Sequence, residues 1–208
     1  CIRDRFGTKF INKKAFESAL EVIGQSVLSE HSGIASSARD ILTLRAPRMR
    51  ENFDLTTVSS QPNPSPEAIA EAIHHLDRSY LVIQGPPGTG KTYSSAHAIL
   101  HLVAKGHRVG ITANTHAAVH QLLGEIALHA PMFGYSHEKH LTIGLKVNDV
   151  ENAPTLENDA VALSVETDNR RMIGKAKTFN IVAGTSFLFA NADMRDTVTT
   201  LVIDEAGQ

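Results

Sequence analysis

Gly85-Pro86-Pro87-Gly88-Thr89-Gly90-Lys91-Thr92 is the stretch that decides the fold. It follows a short apolar run, Tyr80 to Gln84 (YLVIQ), and precedes a segment, Thr92 to Lys105, with apolar residues at helical spacing. A G-x-x-x-x-G-K-[ST] pattern set between a strand and a helix is built to hold phosphate. Gly85, Gly88 and Gly90 permit turns and close backbone approach. With Pro86, Pro87 and Thr89 they form a loop whose amides face an anion, at the positive end of the helix dipole. Lys91 is expected to reach the β- and γ-phosphates of a nucleoside triphosphate, and the Thr92 hydroxyl to ligate Mg2+.

Downstream, strands and helices alternate. Arg108 to Ala113 (RVGITA) reads as a strand, and Thr115 to His129 as a helix with Ala118, Leu122, Leu123 and Ile126 on one face. Further strands are expected at Leu141 to Leu145, Asn180 to Ala183 and Thr199 to Ile203, and an earlier helix at Ala68 to Leu76. Apolar strands alternating with helices predict an α/β fold, its parallel sheet covered on both faces. The polar stretch from Gly134 to Lys177 reads as a solvated insertion between core elements.

Upstream, residues 1 to 57 read as helical. Phe16, Leu20, Ile23 and Val27 share a helix face, and Ile41, Leu42 and Leu44 follow Ser36 and Ser37. Ser59 to Pro66 (SSQPNPSP) is a turn-rich link, since proline lacks an amide donor and biases its predecessor toward extended backbone.

A phosphate loop also needs a carboxylate at the end of a neighbouring strand to hold hydrated magnesium. Leu201-Val202-Ile203-Asp204-Glu205 supplies two acids there. Asp204 is assigned to magnesium, and Glu205 is the candidate base that orients and deprotonates the attacking water.

GPPGTGKT together with Asp204-Glu205-Ala206-Gly207-Gln208 resembles superfamily 1 helicases, in the group of RNA-surveillance helicases and DNA-replication helicase-nucleases. Gly110 to Leu123 (GITANTHAAVHQLL) resembles motif Ia of that group, and Ile181 to Ala190 (IVAGTSFLFA) the segment before motif II. The runs are most similar to those of bacterial proteins that fuse a RecB-like nuclease to such a helicase. The resemblance implies a RecA-like P-loop NTPase domain in which Gly85 to Thr92 is the Walker A loop and Asp204 with Glu205 the Walker B acids. It implies ATP as the nucleotide and single-stranded DNA or RNA as a partner. It places Asn114, Thr115, His116 and Thr185 on the phosphate backbone of that strand, and Gln208 at the γ-phosphate or at the link to the translocating domain. The group reads adenine with an upstream glutamine. Glu67 and Ala68 stand at that place here, so Gln61 takes the role through a longer connection.

Composition bounds the rest. With 208 residues, 42% hydrophobic and 20% charged, the chain has the makings of one ordinary globular core. A net charge of −2 excludes a surface that binds polyanions everywhere, though not a narrow groove. No apolar stretch is long enough to span a membrane and no basic-then-apolar leader opens the chain, so a cytoplasmic protein is expected. The single Cys1 suits a reducing compartment. His97 with His101, and His116 with His120, are i, i+4 pairs, yet neither has a third ligand nearby in sequence. No acid and Glu-x-Lys signature of a RecB-like nuclease is present, and Phe187 and Phe189 read as core aromatics rather than base-stacking ones.

A chain that opens on Cys and closes inside motif II reads as a piece of a larger protein. The expectation is a helical segment over residues 1–57 and a first RecA-like domain over 58–208, with an insertion at about 134–177 and a second RecA-like domain beyond. The function expected is an ATP-driven motor on single-stranded nucleic acid, with the piece alone inactive in unwinding. A P-loop regulatory switch and a non-catalytic binding domain are the alternatives.

Overall fold

The computed structural model describes residues 14–28, 36–50, 52–85, 88, 90–156 and 158–206. Helices α1 (Lys14–Leu28), α2 (Ser36–Leu42), α3 (Thr56–Ser59) and α4 (Pro66–His74) precede α5 (Lys91–Ala104). Then come β1 (Val109–Ala113), α6 (His116–His129), β2 (Leu141–Lys146), β3 (Val161–Glu166) and α7 (Asn169–Lys175). The series closes with β4 (Ile181–Thr185), α8 (Ser186–Phe189) and β5 (Thr200–Ile203). The five strands form one sheet in the order β3-β2-β4-β1-β5, and every pairing is parallel.

Helices cover both faces, which is why the central strands are apolar on both sides. Ile99, Leu102, Leu122 and Ile126 of α5 and α6 pack with Ile111, Ile143 and Leu145 on one face. Met172, Leu188 and Met194 pack with Val182 on the other. The fold is therefore α/β with a sandwiched parallel sheet.

Local signals set the helix starts. Ser65 caps α4 by accepting from the Ala68 amide at 3.2 Å, and Pro66 follows in the first turn, where a missing amide costs nothing. Thr115 caps α6 in the same way through Ala118.

The N-terminal helices are tied to the chain that enters the glycine-rich loop. Residues 48–50 run beside 75–77 through an antiparallel bridge between Met49 and Leu76, and Arg50 N donates to His75 O at 2.7 Å. Asp40, with no exposed surface, accepts from Arg48, which also donates to the Arg78 carbonyl at 2.8 Å. Tyr80 donates to Arg45 O at 2.7 Å. Phe16 of α1 meets Phe187 of α8 edge-on.

Three expectations change. Tyr80 to Gln84 is not a strand: the segment pairs with no strand among the described residues, and Val82 and Ile83 are largely exposed. Its apolar pattern suits a sheet, but a strand exists only through a neighbour's ladder. Residues 134–177 are no insertion, because they supply β2, β3 and α7, with Leu141, Ile143 and Leu145 fully buried. Lastly, the apolar face expected on α1 is poorly covered, with Leu20 66% exposed.

Candidate active site

The connection from α5 to β1 spans only residues 105–108, so α5 ends at the edge of the sheet where the parallel strands begin. A helix of this length rises about 21 Å, enough to return its N-terminus to the edge where the strands end. Open α/β sheets bind ligands at that edge. Lys91 and Thr92 open α5 there, and Lys91 Nζ donates to the Gly85 carbonyl at 2.5 Å. Gly88 and Gly90 have φ of +80° and +75°, the left-handed region that a side chain resists. Pro86, Pro87 and Thr89 lie outside the described residues.

The register fixes the rest of this edge. Thr112 of β1 is level with Ile203 of β5, and Ala113 with Thr185 of β4. Asp204 therefore leaves β5 beside the point where Asn114 and Thr115 leave β1, with Thr185 at the end of β4. The Asp204 amide extends the ladder by donating to Thr112 O at 2.8 Å. Asp204 Oδ1 accepts from the Glu205 amide at 3.0 Å, and Glu205 has φ of +53°. A left-handed glutamate at a strand exit is a strained turn of the kind that gathers at functional sites.

Half-buried Asp204 makes no ion pair among the described residues. A carboxylate and a threonine hydroxyl are hard oxygen donors, and Mg2+ characteristically takes one or two of these and fills its octahedron with water and phosphate oxygens. The donor set fits that ion. Elsewhere, no three His, Cys, Asp or Glu side chains among the described residues gather to hold a metal.

Thr115 Oγ1 is used as the α6 cap acceptor, which leaves its O–H to donate outward. Both nitrogens of His116 are buried with no hydrogen-bond partner among the described residues. Burial first, and the charge of Lys146 second, hold the His116 pKa below the usual imidazole value. Thr185 begins α8 without using its side chain as a cap. Gln61 stands after α3 and donates to Thr57 O at 2.6 Å, away from any contact with the glycine-rich loop that the structure describes. Gln208 lies outside the described residues. Phe187 and Phe189 pack against α1 and the core rather than standing free.

A glycine-rich loop opening a helix on an all-parallel α/β sheet, with two acids at a strand end on the same edge, defines a nucleotide-binding P-loop domain. The chain belongs to the AAA domain family, whose match covers residues 61–208. It is similar to DNA-binding protein SMUBP-2 from Rattus norvegicus, at 29% identity over 153 residues, 71% of this chain. The protein of the same name from Mesocricetus auratus is 30% identical over 147 residues, 69% of this chain. The chain spans about 15% of the length of the rat relative and 14% of the hamster one.

Proposed function

We propose that this chain is the ATP-binding motor domain of a superfamily 1 helicase, a cytoplasmic protein that hydrolyses ATP to move along single-stranded nucleic acid. The register that sets Asp204 beside the exit of β1 is the observation that carries this reading. Asp204 and Glu205 leave β5 at the edge where the residues resembling motif Ia leave β1, which supports the reading.

In this reading the loop from Gly85 to Gly90 cradles the phosphates: the amides of its glycines and Thr89 donate to them, while Pro86 and Pro87, which carry no N–H, line the loop without donating. Lys91 lies along the β- and γ-phosphate oxygens, leaving Gly85 O to do so. Thr92 and Asp204 would hold Mg2+, which supplies positive charge for the phosphate oxygens when bound. Glu205 accepts the proton of the water that attacks the γ-phosphorus in line. Gln208 senses the γ-phosphate and Gln61 contacts the base. Asn114, Thr115 and Thr185, with His116 through its backbone amide at the start of α6, bind the strand's phosphates, since hydroxyls and helix N-termini grip a backbone without reading sequence.

Residues 58–208 form the first RecA-like domain and residues 1–57 a helical segment leading into it. A second RecA-like domain of the same protein supplies the groups that complete hydrolysis. The SMUBP-2 relatives are named as DNA-binding, which supports a nucleic-acid partner. The test is ATP turnover by the full-length protein with and without a single-stranded oligonucleotide. Strong stimulation, abolished by Glu205→Gln, is expected. Turnover indifferent to oligonucleotide would favour a regulatory switch instead.

A further inference from the structure

Lys146 closes β2 at the same sheet edge and has an unusual setting. It is half-buried, and its Cβ lies against Gly184 of β4. A Cβ placed at Gly184 would come 3.4 Å from Lys146 Cβ and 3.5 Å from its carbonyl oxygen. The ends of β2 and β4 therefore approach closely, with the root of the lysine side chain against Gly184. Nζ donates to Asn148 Oδ1 at 3.1 Å, and Asn148 is an exposed residue beyond the end of β2. The ammonium thus sits at the strand-exit edge.

A half-buried cation ordinarily has a carboxylate beside it. Among the described residues Lys146 has none within ion-pair distance. Glu166, its register partner on β3, is bonded to Lys175 at 2.5 Å instead. The imidazole that feels its charge is His116, where burial and Lys146 both oppose protonation. His120, one turn on with ring centroids 5.9 Å apart, has its pKa lowered in the same way, by burial first and by His116 second. Burial also lowers the pKa of Lys146 itself, with Asp168 opposing that shift. The Lys146 ammonium is thus held where β2 and β4 end, without a carboxylate partner among the described residues.

We propose that Lys146 is a further phosphodiester-binding residue of the strand site, extending it from Asn114, Thr115 and Thr185 across β4 to β2. This rests on the nucleic-acid reading above. The ligand chemistry is a phosphate of a DNA or an RNA backbone.

The experiment is fluorescence anisotropy of the full chain with a fluorescein-labelled 15-mer, oligothymidylate in one arm and oligouridylate in the other, across a salt series. Lys146→Met should weaken binding about three- to tenfold at low salt and reduce the log K against log salt slope by about 0.7. Loss in either arm with the shallower slope supports the contact, and the arms tell which polymer supplies it. Lys146→Arg keeps the charge and must keep the slope, even if Lys146→Met melts at a lower temperature. Lys139→Met removes an equal charge at the opposite edge, before β2, and should change neither quantity. Wild-type binding with an unchanged slope for Lys146→Met, or an equal effect from Lys139→Met, overturns the assignment and leaves the strand site standing. Failure of the wild-type chain to bind either oligonucleotide overturns both.

Discussion

The Asp204 amide donates to the Thr112 carbonyl at 2.8 Å. Asp204 is the residue assigned to the metal, and Thr112 stands two residues before Asn114, assigned to the nucleic acid. A backbone hydrogen bond thus ties the exit of β5 to the end of β1. Thr112→Val would leave this backbone bond intact while removing a buried hydroxyl that has no partner among the described residues. It should therefore preserve or slightly raise the melting temperature, measured by circular dichroism.

The Asp40–Arg48 pair predicts an asymmetry. Asp40 has no exposed surface, whereas the Arg48 side chain is 37% exposed. Arg48→Met strands a buried carboxylate and should cost about 3 kcal/mol, the low end for breaking a buried pair because water reaches the arginine side. Asp40→Asn removes the buried charge and lets Arg48 hydrate, so it should cost less. Urea unfolding of the two variants checks the order.

The close approaches at two glycines predict another pair. A Cβ at Gly144 would meet Phe179 at 2.5 Å and the Met172 sulfur at 3.1 Å, inside the core. Gly144→Ala should therefore cost about 1–3 kcal/mol through overpacking. At Gly110 the neighbours are Phe189 at 2.8 Å and Leu201 at 2.9 Å, and Leu201 is 43% exposed, free to swing away. Gly110→Ala should be the milder change, as thermal melts will show.

The helices α4, α5 and α6 and four of the strands follow from apolar spacing, caps and the short links between them. Tyr80 to Gln84 has the composition of a strand but not the neighbour that would make it one. Val161–Glu166 was missed for the opposite reason: as an edge strand it is only half-buried, so Ala162, Ser164 and Glu166 break the apolar run. The glycine-rich loop and the acid pair were legible because their chemistry is local. Lys146 was not, since only the packing of β2 on Gly184 brings it to the same edge.

Acid should destabilise the fold in two stages. Burial is the first cause lowering the pKa values of His97, His107, His116 and His120. The unfolded chain then binds more protons as pH falls through about 6.5, so stability contributed above that value is lost below it. Glu67 and Glu71, lowered by hydrogen bonds, add a second loss as pH falls below about 4.5. His107 also shares a hydrogen bond with His74 at 2.8 Å, which two protonated rings cannot keep. The melting temperature should fall between pH 7.5 and 5.5, and His107→Asn should flatten that decline.

The central claim is that Gly85 to Thr92 binds ATP with magnesium, and a thermal-shift titration of the chain with Mg-ATP tests it most directly. A ligand at one hundred times its Kd stabilises by about 2.7 kcal/mol. The melting temperature of the wild-type chain should rise by several degrees, with no rise for Lys91→Ala and a smaller rise without magnesium. No shift in the wild type, or an equal shift in Lys91→Ala, would contradict the account.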